Sequence, residues 1–141
     1  MAVELTYQTR RRFAPALVVA AIEATLTDRR SRGDVSVAIV GDRAMRRLNR
    51  TYRGFDKVTD VLSFVEAESE MPVEGALGEL VVDIDQIRRQ AKTYGHGVRW
   101  ELAFIVIHGT LHLLGYEDET ERGRTLMEKL GEHIIAKMPH L

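Results

Sequence analysis

The 141-residue chain has no cysteine, which excludes a disulfide framework and a closed thiolate zinc site and is compatible with a reducing compartment. Long apolar runs are also missing. Runs such as Leu102–Ile107 are far short of the roughly 20 residues a membrane-spanning helix needs. The first ten residues show no apolar core of signal-peptide type, so a soluble, cytoplasmic protein with no membrane partner is expected. Charge of one sign is absent too: 20 Lys and Arg against 21 Asp and Glu leave a formal net charge of −1. Global attraction to nucleic acid is therefore excluded, and any such affinity must come from a local patch. No repeat, low-complexity segment or interdomain linker interrupts the chain, which suits one domain over residues 1–141.

The pattern of elements is that of an α+β domain. Val3–Tyr7, Val35–Val40, Val61–Glu66 and Leu77–Val82 read as strands. Ala14–Leu26, with Pro15 in its first turn, reads as a helix, and Asp42 can cap a second. Ile84–Tyr94, Arg99–Leu114 and Glu119–Lys137 complete the helices, while acidic Ala67–Ala76 reads as a mobile hairpin loop. A small mixed sheet of about four strands with five or so helices follows.

The chemistry concentrates in His108-Gly-Thr-Leu-His112-Leu-Leu-Gly115-Tyr-Glu-Asp118. Histidines four apart share a helical face and can reach one ion, and Gly115 can end the helix in the left-handed conformation. The chain then turns back, so that Asp118 can supply a third ligand. Asp118-Glu-Thr-Glu121 reads equally well as the cap and acidic first turn of the last helix, and Glu117 and Glu119 are rival ligands. Two imidazoles and a carboxylate leave an open position on a tetrahedral ion, as catalytic zinc sites do. One Zn2+ is the expected cofactor, and the carboxylate makes another divalent transition metal acceptable. His96, His133 and His140 read as surface residues. Phe104, Ile105, Leu111, Leu113 and Leu114 read as core packing around the metal helix.

The histidine spacing also admits a zincin-like metalloprotease. In that signature a glutamate follows the first histidine as general base, and here the position is Gly109. Non-haem iron chemistry is a further option for the ligand set, without a cosubstrate-binding signal. A basic stripe, Arg43, Arg46, Arg47, Arg50, Arg53 and Lys57 against the single acid Asp56, would place four arginines on one side of a helix. It reads either as a solvated face or as a set of phosphate contacts.

His108–Tyr116 resembles the H-G-x-L-H-L-x-G-Y-D-H signature of the YbeY family of bacterial metal-dependent endoribonucleases. Leu48-Asn-Arg-Thr-Tyr-Arg53 with Thr59-Asp60-Val-Leu-Ser-Phe64, and Leu77-Gly-Glu-Leu-Val-Val-Asp83, are similar to two further family segments in the same order. The resemblance implies a central metal helix and a single-strand-specific endoribonuclease acting in ribosomal RNA maturation, including 16S 3′-end processing and ribosome quality control. It also implies ribosomal particles, and with them ribosomal proteins, as partners. Family ligands carry over to His108 and His112, and the cleft arginine to Arg53. Asp118 stands where the family usually has its third histidine. The expected roles are Arg53 as the catalytic phosphate contact, His108, His112 and Asp118 as metal ligands, and Arg46, Arg50 and Lys57 as substrate contacts. A non-catalytic ribosome-associated RNA-binding factor with a structural metal is the alternative from a different class.

Overall fold

The computed structural model describes residues 2–139 and 141; His140 lies outside them. Among the described residues the order is β1 (Val3–Tyr7), α1 (Pro15–Asp28), β2 (Asp34–Val40), α2 (Asp42–Arg53), β3 (Val61–Val65), β4 (Ala76–Asp83), α3 (Ile84–Tyr94), α4 (Val98–Leu113) and α5 (Glu121–Ala136), with a short 3-10 turn at Glu66–Glu68. The four strands form one sheet in the order β1-β2-β4-β3. β1, β2 and β4 run parallel, and β3 pairs antiparallel with β4 at the edge. The expected α+β class with a mixed four-stranded sheet is the architecture observed.

Alternation along the strands explains how the sheet is covered on both faces. Val35, Val37, Ile39, Leu80 and Val82 point into the main core with α1, α4 and α5. Ala38, Val40, Leu62 and Val81 point the other way, onto Met45 and Leu48 of α2. Central β2 is thus apolar on both sides, as buried parallel strands are. The arginine-bearing helix covers the second face through Ala44, Met45 and Leu48, with Val58 beside them.

α4 is apolar nearly all round because it is central, packing against α1, α3, α5, β3 and β4. Gly109 lets it lie close to the sheet. A Cβ there would come within 3.0 Å of Leu80 and 3.1 Å of Val61, and the Ser63 hydroxyl donates to the Gly109 carbonyl at 3.3 Å. Position 109 therefore faces the sheet and not the histidine face.

Two helix starts differ from the sequence reading. Gly41, not Asp42, occupies the cap position of α2, and Asp42 is its first residue. The backbone N–H of Asp42 donates instead to Asp85 of α3 at 3.1 Å, and its carboxylate takes two hydrogen bonds from Arg89, at 2.9 and 2.7 Å. At α5 the cap is Thr120, whose hydroxyl accepts from the Gly123 N–H.

Candidate metal centre

Three elements bring the ligands together. α4 ends in a Schellman turn: the Tyr116 N–H reaches the Leu111 carbonyl at 3.1 Å, and the Gly115 N–H reaches that of His112 at 3.0 Å. Gly115 takes the left-handed conformation this turn needs, with φ at 98°. The reversal carries the Tyr116 carbonyl over the ring of His112, whose Nδ1 lies 2.9 Å from it. A carbonyl can only accept, so Nδ1 holds the proton. Nε2 of the neutral ring then presents its lone pair to the site, the tautomer a metal ligand requires.

Beyond the turn, the Glu117 carboxylate folds back to accept the Glu119 N–H at 2.7 Å and the Thr120 hydroxyl at 3.2 Å. Thr120 caps α5, and Arg124 donates to the Asp118 carbonyl at 3.2 Å. With Glu117 and Thr120 so engaged, the Asp118 carboxylate is free of capping and points at the histidines. Its Oδ2 lies 3.3 Å from His108 Nε2 and 3.4 Å from His112 Nε2, and the two nitrogens are 3.1 Å apart. Burial and the neighbouring His112 push the His108 imidazole below its ordinary value, against the opposing pull of Asp118 and Asp60. A lone pair on His108 is thereby available near neutral pH.

The triangle has the size of one face of a tetrahedron around a small ion. An ion with donors at about 2.0–2.1 Å holds them about 3.3 Å apart. The residues present fit zinc, with the carboxylate removing one unit of positive charge from the site.

The triangle opens into a cleft of about 560 Å3. Arg53 and Lys57 line it, together with Asn49, Phe55, Asp60 and β3 residues. Arg53 donates from Nη2 to the Ser63 carbonyl at 2.9 Å, and its guanidinium lies 6.0 Å from the Phe64 ring centroid. Arg46 and Arg50 lie elsewhere. They border a separate groove with Arg43 and Arg47, and both turn to Asp56. Arg46 makes two hydrogen bonds to it, at 2.8 and 3.0 Å, and Arg50 approaches to 3.6 Å. The structure thus brings His108, His112, Asp118, Arg53 and Lys57 to one cleft and leaves Arg46 and Arg50 outside it.

A family model described as Endoribonuclease YbeY matches residues 4–139. The chain belongs to the YbeY endoribonuclease family. Endoribonuclease YbeY of Moorella thermoacetica is 45% identical over 112 residues, covering 73% of this chain and 71% of the relative. Endoribonuclease YbeY of Caldanaerobacter subterraneus subsp. tengcongensis is 39% identical over 136 residues, covering 87% and 86%. The solution structure of TM1509 from Thermotoga maritima matches with a TM-score of 0.65 at 24% identity, covering 96% of this chain and 90% of that one, a likeness of fold.

Several residues of this YbeY cleft escape sequence reasoning. Asp60 lines it, and its carboxylate takes a 3.3 Å hydrogen bond from Gln90, which also donates to buried Glu101 at 3.2 Å. Glu68 joins from the 3-10 turn. Periodicity carries no signal for either, since both sit where elements end. The outlying histidines behave as surface residues: His96 is exposed and stacks on Trp100, and His133 approaches Asp28 at 3.2 Å. Among the described residues no helix is long and apolar enough to cross a membrane.

Proposed function

We propose that this YbeY-family chain is a metal-dependent endoribonuclease that cleaves single-stranded RNA during ribosomal RNA maturation, including 16S 3′-end processing, with Zn2+ as its ion. One observation supports this above the others: two imidazole nitrogens and the Asp118 oxygen converge at 3.1–3.4 Å in the same cleft as Arg53. A bound zinc ion supplies Lewis-acid polarisation of a phosphoryl oxygen and acidifies water from a pKa of 15.7 toward about 7. His108, His112 and Asp118 hold it. The Tyr116 carbonyl keeps His112 in its ligating tautomer. Arg53 presents a planar fork to the scissile or adjacent phosphate, already oriented by Ser63 and Phe64.

Cleft charge bears on the same reading. Five carboxylates, Asp60, Glu68, Glu117, Asp118 and Glu119, line it against Arg53 and Lys57. An excess of anions repels phosphate, so removing the ion should weaken RNA binding as well as stop cleavage. A metalloprotease would need a base at position 109, which is buried against the sheet. Ribosomal particles, and through them ribosomal proteins and the cytoplasm, are the setting this reading assigns.

Cleavage of a labelled single strand with and without chelator tests it, alongside elemental analysis of His108→Ala and His112→Ala. We expect cleavage to stop in chelator and return with zinc, and each variant to lose stoichiometric metal while folding normally. Cleavage that persists in chelator, or full metal occupancy in either variant, would count against the site. Intact binding with no cleavage under any metal would leave the RNA-binding factor as the answer. Co-sedimentation with ribosomal particles checks the setting.

A further inference from the structure

Phe55 lines the cleft of His108, His112 and Asp118 and is 57% exposed. A single exposed phenylalanine is ordinary, but the loop carrying this one is fastened on all sides. Gly54, at φ 77°, ends α2 and turns the chain. The next residues are held in sequence: the Phe55 N–H bonds back to the Asn49 carbonyl at 3.4 Å, Asp56 is gripped by Arg46 and Arg50, and the Lys57 carbonyl accepts from the buried Asn49 amide at 2.9 Å. The Lys57 ammonium lies 5.3 Å from the Phe55 ring centroid. The result is an exposed aromatic ring on a pinned stretch of backbone, flanked by a cation and sharing a cleft with Arg53, His108, His112 and Asp118.

An aromatic face beside phosphate-binding cations is the arrangement that receives an unpaired nucleobase. We propose that Phe55 is a stacking platform for one unpaired base of the RNA, with Lys57 placed for a neighbouring phosphate. Arg46, Arg50 and Asn49 are then positioning residues, which present the platform without touching RNA. This deepens the endoribonuclease reading and rests on it. In a duplex both faces of a base are already stacked on its neighbours, so the platform selects for single strands at this position.

The test uses short single-stranded oligoribonucleotides with 2-aminopurine placed at each position in turn, mixed in stopped flow with excess zinc-loaded protein and read before cleavage. Wild type and Phe55→Tyr should quench the fluorescence at one position beyond its level in the free strand, and Phe55→Leu should not. Phe55→Leu should also bind about tenfold more weakly, a difference that vanishes when that one nucleotide is abasic. Asp56→Ala separates positioning from charge. Loss of an acid tightens RNA binding by electrostatics alone, whereas a loosened platform loses the quenching. Equal affinity and equal quenching for wild type and Phe55→Leu at every position would overturn the platform. Unaltered quenching in Asp56→Ala would overturn the positioning role. If wild type neither binds nor cleaves these strands, the endoribonuclease reading fails first and the platform with it.

Discussion

Arg53 commits one N–H to the Ser63 carbonyl, and its remaining donors have no protein partner among the described residues. Arg53→Ala should lower kcat/KM for RNA about a hundredfold with metal content unchanged. Arg53→Lys should recover only part of the loss, because a point charge cannot make the bidentate contact. Steady-state cleavage with metal analysis of each variant checks both, and unchanged cleavage in the alanine variant would refute the phosphate role. Asp118 calls for a different measurement. Its carboxylate is free because Glu117 holds the turn and Thr120 caps α5, so Asp118→Ala should weaken metal binding by about a hundredfold or more. Asp118→His should still bind but shift preference among zinc, nickel and manganese, since a neutral nitrogen replaces an anionic oxygen. Competition titrations read this directly. Wild-type affinities in Asp118→Ala for all three metals would remove Asp118 from the ligand set.

At the scale of elements, the site depends on the α4–α5 connection, and Gly123 is its least obvious support. A Cβ at Gly123 would meet the backbone carbonyl and the carboxylate of Glu117. An exposed helical glycine ordinarily gains up to about 1 kcal/mol of stability on replacement by alanine. Here the sign should reverse: Gly123→Ala should lower Tm by several degrees and weaken metal binding, although the residue touches no ligand. Calorimetry and a zinc titration on the same variant decide it, and a higher Tm with unchanged affinity would show that the turn tolerates the methyl group. This connection was only half legible in the sequence. The His108–His112 spacing and Gly115 announce the helix and its end through local geometry, but Asp118 reads equally well as the cap of α5 and as a ligand. Thr120 takes the cap and Glu117 the turn, a choice made by contacts across the turn.

Across the whole molecule, α2 and α3 begin side by side and set the buried Asp83 carboxyl near the half-exposed one of Asp42. Asp83 is fully buried, accepts the Asp85 N–H at 3.0 Å with Oδ1, and leaves Oδ2 without a hydrogen-bond partner. Burial and Asp42 push its carboxyl up to about 7. The Arg89 hydrogen bonds hold Asp42 down at about 2. Asp83 thus binds its proton more tightly folded than unfolded, so its contribution to stability falls as pH rises from about 4 to about 7. Asp42 acts in the opposite sense, its contribution being present above about 4 and lost toward about 2. Asn at position 83 mimics the protonated acid, accepting from Asp85 and donating to Asp42. Asp83→Asn should therefore gain stability over wild type between about pH 5 and about pH 8, read as a Tm difference that widens with pH. A difference independent of pH would show that Asp83 is not protonated in the fold.

What the amino-acid order determined by itself was everything set by short-range periodicity: the strands and helices to within a residue or two, the α+β class, the two histidines on one face and the glycine that ends their helix. Family membership was legible in three ordered segments. The tertiary structure alone decided which groups meet. It placed α2 on the second face of the sheet, turned Arg46 and Arg50 onto Asp56 and away from the cleft, and brought Phe55 into the same cleft as His108, His112 and Asp118. The physical reason is range. Helix and strand periods act over a few residues, whereas a charge's partner or a side chain's exposure depends on segments that packing brings together, 10 positions apart for Arg46 and Asp56 and 109 for Lys137 and Asp28.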